Sequence, residues 1–178
     1  VYPALSTEEL PKVPWCDTGY YLSERPVFTL DPFFHAGSYY VQEASSMFLA
    51  QVITSLELDQ NPCIAVDLCA APGGKSTLLQ SYLHSDSLLI ANELIKSRVG
   101  VLEDNLTRWG YPNTIVAHSD PSAFNRLPDY VDLLVVDAPC SGSGMFRKDE
   151  KAVDEWSEAA VKLCKERQQR ILANSIDC

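Results

Sequence analysis

Residues 63–77 read CIAVDLCAAPGGKST: an apolar run, an acid, then a Pro-Gly-Gly turn. Cys63–Cys69 predicts a short buried strand, and the turn leads into a predicted helix over 75–84. Strand, tight glycine turn and helix start bring backbone close to a ligand at the strand's carboxyl end. The closing Gly-Lys-Ser imitates a triphosphate loop. That loop needs G-x-x-x-x-G-K-[ST], and Cys69 stands where its first glycine belongs. Pro72 also removes an N–H from a loop whose use is to offer N–H groups to phosphate. The dinucleotide spacing G-x-G-x-x-G is absent from this turn as well.

The alternation continues outward. SLLIAN at 87–92 predicts a second strand, and Ile95–Trp109 a second helix with Val99, Leu102 and Leu106 on one face. Thr114–Ala117 predicts a third strand, DLLVV at 132–136 a fourth, and 152–176 a long final helix. Upstream, apolar positions at helical spacing predict a helix from Gln42 to Leu58, broken by Asn61-Pro62. Strands alternating with helices imply an α/β fold with a doubly wound, mostly parallel sheet. Residues 1–40 show no sustained period and are expected to be irregular. The 178 residues suffice for one domain with a core.

Apolar residues make up 46% of the chain, which excludes disorder. No apolar run approaches the roughly 20 residues of a membrane span, and the N-terminus lacks the order of a signal peptide. A soluble, cytoplasmic protein with no membrane partner is expected. Six cysteines stand at 16, 63, 69, 140, 164 and 178 without a C-x-x-C pair. No metal site or dithiol motif is therefore expected, and reduced thiols fit a cytoplasmic setting. The net charge of −10 argues against a general nucleic-acid coat. It leaves room for an enzyme that grips nucleic acid through one groove. Residues 1–60 carry eight Asp and Glu against two Lys and Arg, so phosphate contacts are expected from the later part.

About twenty residues past the turn, Glu93 ends the second predicted strand. A carboxylate there can accept both hydroxyl hydrogen bonds of a ribose. A ligand with adenosine but no phosphate is S-adenosylmethionine. Asp120, after the third strand, is placed to accept from the adenine amino group. Taken singly, either acid reads equally well as a solvated loop carboxylate. Each standing at a strand's carboxyl end, the two together favour a site. DAPCSGSG, Asp137–Gly144, follows the fourth strand and so shares the same sheet edge. Cys140 in this loop is a candidate nucleophile. Carbon-5 of a pyrimidine becomes able to attack a sulfonium methyl once a thiolate adds at carbon-6. The plainer reading of Cys140 is a buried structural cysteine in a tight turn. Asp137 suits proton handling at the base or the cofactor's amino end, and Lys75 is placed to pair with it.

DLCAAPGGKS followed by DAPCSGSG resembles the Nop/Sun family of RNA cytosine methyltransferases. So do YVQEASSM at 40–47, ANELIKSRVGVLEDNLTRWG at 91–110, the strand-plus-Asp at 115–120 and GMFRKDE at 144–150. The glycine loop and GMFRKDE look most like the bacterial 16S ribosomal RNA branch. The resemblance implies a Rossmann-like, S-adenosylmethionine-dependent methyltransferase fold. It implies formation of 5-methylcytosine in RNA, ribosomal before transfer RNA, through a cysteine–base adduct. By the same resemblance Cys69, Ala70, Ala71, Pro72, Gly73, Gly74 and Lys75 wrap the methionine and ribose. Glu93 takes the ribose hydroxyls, Asp120 the adenine side, and Asp137 the methionine end or the base. Arg98 lies near the pocket, Gln42 to Ser46 pack under the methionine moiety, and Arg147 and Lys148 face RNA.

The resemblance also implies that Cys140 assists release of the methylated base, while a second cysteine, in a Thr-Cys motif, attacks. Thr-Cys does not occur in these residues, and Cys178 follows Asp177. The expectation is a methyltransferase domain over 41–178 that is incomplete at its C-terminus and lacks further strands. Residues 1–40 would be the end of an RNA-binding region, and the 178-residue chain would not methylate RNA alone. The alternative is a catalytically inactive scaffold that binds cofactor and RNA. A third reading, a P-loop ATPase with Asp137 as the magnesium acid, is opposed by Cys69 and Pro72.

Overall fold

The computed structural model describes residues 10–24, 27–146, 149 and 151–178. Four parallel strands form one sheet: β1 (Ile64–Asp67), β2 (Leu88–Asn92), β3 (Thr114–Ala117) and β4 (Leu133–Val135). Their spatial order is β3-β2-β1-β4. Val66 pairs with Ile90 on one side and Leu134 on the other, so β1 is central. A central parallel strand is covered on both faces, and Ala65 and Val66 are accordingly fully buried. That burial is why β1 reads as an unbroken apolar run.

Six α-helices accompany the sheet among the described residues. They are α1 (Pro32–His35), α2 (Leu49–Ser55), α3 (Gly74–Tyr82), α4 (Lys96–Trp109), α5 (Lys151–Glu155) and α6 (Glu158–Ala173). Ala65 and Leu89 pack under Ile53 of α2 and Leu79 of α3. Val66 packs instead with Phe124 and with Ile171 of α6. Leu102 and Leu106 of α4 pack against Ala70, Ala71 and Ala91. From β1 the chain runs to β2 on one side and later reaches β4 on the other. The carboxyl ends of β1 and β4 therefore flank the point where strand order reverses, the usual ligand crevice of an open α/β sheet.

Two expected helices differ from those found. The Gln42–Leu58 helix is shorter: a 3-10 turn at Ser46–Phe48 runs into α2, which ends at Ser55. Tyr40 and Gln42 lie instead beside the glycine turn, where a Cβ on Gly74 would meet Tyr40 Cε1 at 3.1 Å and Gln42 Oε1 at 3.3 Å. Past α2, Glu57 takes a left-handed conformation at φ 55°. The long helix over 152–176 is two helices. Ser157 is extended and its side chain accepts from Ala160 N at 3.2 Å, so it caps a fresh helix, α6. In the N-terminal stretch, Asp31 caps α1 by accepting from Phe33 N at 2.9 Å, and Lys12 and Tyr20 form an isolated antiparallel bridge.

Gly73 opens α3 at φ +113°, with Leu102 Cδ1 only 3.3 Å from where a Cβ would stand. Both features disfavour a side chain there. Gly73→Ala is expected to destabilise the protein by about 1–2 kcal/mol through backbone strain. A urea midpoint equal to that of the parent protein would show that the turn can relax.

Candidate active site

The site is built on the carboxyl ends of the strands. Asn92, fully buried at the end of β2, ties three of them together. Its amide donates to Leu68 O at 3.1 Å and to Ser119 O at 3.0 Å, and its Oδ1 accepts from Ser119 N at 3.0 Å. Ala70 N donates to Asn92 O at 2.8 Å, which holds the glycine turn against β2. Among candidate residues of the turn, Gly73 packs toward α4, while Ala70, Gly74 and Lys75 line a cavity of about 180 Å³. Tyr40, Gln42 and Asp67 line it too.

A larger cavity of about 600 Å³ opens between the turn, the β4 loop and α6. Glu93, Arg98, Asp120, Asp137, Cys140 and Arg170 stand on its wall. Cys69, Ala71, Pro72 and Asp137 border both cavities. The structure thus brings the residues of both motifs to one crevice. Arg147 and Lys148 lie outside the described residues.

Glu93 is 3% exposed. Its Oε1 accepts from Ile95 N at 2.8 Å, while Oε2 has no hydrogen-bond partner among the described residues. Arg98 Nη1 lies 3.5 Å from that oxygen, within ion-pair range but without hydrogen-bond geometry. The same guanidinium donates to the Ala71 carbonyl. A buried carboxylate oxygen without a donor is costly on its own, and a ligand hydroxyl would satisfy it. Asp120 is exposed and its Oδ1 is already engaged, accepting from Ser122 N at 2.9 Å and Ser122 Oγ at 2.6 Å. These bonds hold its pKa below the usual carboxylate range, with Arg170 adding to the effect.

Lys75 Nζ lies 2.5 Å from Asp137 Oδ2, which joins the turn to the β4 loop. Beneath this pair lies Asp67, 1% exposed, which the reading of strands and motifs passed over. Its Oδ2 accepts from Ser76 Oγ at 2.7 Å, and Oδ1 has no partner among the described residues. Burial pushes its pKa up from 3.8 to about 6, and the carboxylates of Asp137 and Glu93 add to that rise. Ser76 and Lys75 oppose it. The Asp after the apolar run was the available signal, but an acid ending a strand reads as a solvated boundary. Cys69, half-buried, has its thiol pushed up to about 11 by burial first and then by Glu93, Asp67 and Asp137. Cys140 is exposed. A thiolate is therefore disfavoured at Cys69, which leaves Cys140 as the accessible thiol of the crevice. Gln168 Nε2 of α6 donates to Pro139 O at 3.1 Å, beside that thiol.

Residues 53–178 match the family of 16S rRNA methyltransferase RsmB/F. The chain belongs to this RsmB/F methyltransferase family. Residues 2–44 match the N-terminal domain of 16S rRNA methyltransferase RsmF. A ribosomal RNA small subunit methyltransferase F of Aeromonas hydrophila is 37% identical over 94% of this chain. The alignment spans 36% of that protein, so the chain covers about a third of such relatives' length. A solved methyltransferase homologue from Pyrococcus horikoshii is 32% identical, with TM-score 0.72 over 93% of this chain and 51% of that one. NSun6 from the same organism, solved with SFG, has TM-score 0.73 over 86% of this chain and 38% of that one. At 24% identity it speaks for the fold alone. The RsmB/F member described here thus has the Rossmann-like methyltransferase fold.

No helix of the described residues is long and apolar enough to cross a membrane. Nor do they hold a group of three or more His, Cys, Asp or Glu placed for a metal ion.

Proposed function

We propose that this chain is the cofactor-binding core of a methyltransferase that makes 5-methylcytosine in RNA, ribosomal RNA first, with S-adenosylmethionine as donor. The observation that carries the reading is the buried Oε2 of Glu93, without a hydrogen-bond donor among the described residues, on the wall of the cavity that also holds Cys140. The residues fit the cofactor. Glu93 suits a ribose diol, and Asp67 and Asp137 give the smaller cavity the negative charge that a methionine ammonium needs. S-adenosylmethionine supplies an electrophilic methyl group on a sulfonium. Glu93 would orient the ribose, and the turn at 69–74 would exclude water from it. The Lys75–Asp137 pair would hold the β4 loop close, so that Cys140 faces a base turned out of its stack into the larger cavity. Cys140 would act at that base, in attack or in product release, and Asp137 would be the nearby group for proton handling.

The exposed thiol of Cys140 on the wall of the larger cavity favours catalysis over a purely binding scaffold. Calorimetric titration of the full-length protein with S-adenosylmethionine and with ATP tests the cofactor. Binding of the first and not the second is expected. Tight ATP binding without a response to S-adenosylmethionine would sink the reading. Glu93→Ala is expected to weaken the cofactor by about 1–3 kcal/mol, the worth of charge-assisted hydrogen bonds to a buried carboxylate.

A further inference from the structure

Both loops of the crevice are held in the same way. Asn105 Nδ2 of α4 donates to the carbonyl of Pro72 at 2.7 Å, and Gln168 Nε2 of α6 donates to the carbonyl of Pro139 at 3.1 Å. Each proline sits in a motif: Pro72 in the glycine turn, Pro139 directly before Cys140. A proline has no N–H, so its carbonyl is its one backbone hydrogen-bonding group. A helix amide that grips it fixes the loop at a point the sheet ladder does not reach.

The Asn105 contact is further specified. Arg108 Nη2 donates to Asn105 Oδ1, and a guanidinium has only donors. The oxygen of the amide must therefore face Arg108, and the NH2 must face Pro72. Arg108 in turn lies over the Phe34 ring, 4.3 Å from its centroid. Asn105 is 7% exposed, so a wrong orientation would leave a polar atom buried without a partner. Asn105 Cβ also lies 3.4 Å from where a Cβ on Gly73 would stand, in contact with the turn itself.

We infer that Asn105 and Gln168 are positioning residues with separate duties: Asn105 sets the cofactor turn through Pro72, and Gln168 sets the Cys140 loop through Pro139. This rests on the proposed cofactor site for the first duty. The second needs only the loop.

The test uses two near-isosteric variants of the full-length protein, Asn105→Asp and Gln168→Glu. Each keeps the shape and turns the donor into an acceptor facing a carbonyl. Two readouts are taken for each: the Kd for S-adenosylmethionine, and the rate of Cys140 alkylation by iodoacetamide, followed by peptide mass mapping. Asn105→Asp is expected to raise the Kd about tenfold or more, the worth of one buried hydrogen bond and its orphaned partner, with Cys140 alkylation unchanged. Gln168→Glu is expected to change the Cys140 alkylation rate several-fold and to leave the Kd unchanged. If Asn105→Asp fails to fold, Arg108→Met carries the first arm, since it removes the donor that orients the amide and keeps a side chain to pack on the Phe34 ring. A Kd rise of about threefold, with Cys140 alkylation unchanged, is then expected. Variants that move both readouts together, or neither, overturn the inference. A parent protein that binds no S-adenosylmethionine overturns the proposed function instead, and the alkylation arm still decides the Gln168 half.

Discussion

Cys140→Ala in the full-length protein is expected to trap a protein–RNA complex that survives denaturing electrophoresis, while S-adenosylmethionine binding stays intact. In the proposed reaction the enzyme is still joined to carbon-6 of the base after methyl transfer. A proton must leave carbon-5 before that thiol departs. In the division of labour that the family resemblance implies, a different cysteine attacks and Cys140 helps this second step. Loss of a positioned proton-transfer group lowers turnover by on the order of 10²–10⁴-fold. The geometry suits such a role: Cys140 is exposed on the loop after β4, on the wall of the larger cavity with Asp137. The other cysteine of the crevice, Cys69, is half-buried among carboxylates and its thiol is held up to about 11. It is poorly suited to stand in. If Cys140→Ala abolishes the adduct altogether, Cys140 is the attacking nucleophile and the two-cysteine division fails.

The parts of the fold that were legible in the sequence are those set by one dominant pattern. β1 to β3 are apolar runs between turn signals, and α4 shows its buried Leu102 and Leu106 at helical spacing. Gly110 ends α4 in the left-handed conformation, as a glycine after a helix should. The misread elements are those where a tertiary contact outbids local pattern. The Gln42 segment has helical spacing, but it borders the cavity beside Gly74. The break at Ser157 hides in a stretch of good helix formers, because one hydroxyl cap suffices to start a new helix. Glu93 and Asp137 were readable because each follows an apolar strand. Asp67, Asn92, Asn105 and Gln168 were not, because such a polar side chain declares itself only through its partner, and those partners are backbone carbonyls and a serine hydroxyl brought in from elsewhere in the sequence.

Asp67 yields the second large effect, one on stability rather than turnover. Its folded-state pKa of about 6 lies above the ordinary 3.8, chiefly through burial. The folded protein therefore holds this proton more tightly than the unfolded chain does. Stability from this group is fully present below about pH 3.8 and is lost as pH rises through about 6. A shift of this size corresponds to about 3 kcal/mol between the two limits. Asp67→Asn keeps an oxygen for Ser76 Oγ and removes the buried charge. Urea unfolding at about pH 4 and at neutral pH should show the gap between variant and parent moving in the variant's favour as pH rises. The same variant should bind S-adenosylmethionine more weakly, because the smaller cavity loses part of its negative charge beside Lys75 and Asp137. An active site that carries destabilising charge for the sake of its ligand predicts both results together. A stability gap equal at the two pH values would show that Asp67 ionises normally in the fold, and its place in the cofactor site would then have to rest on shape alone.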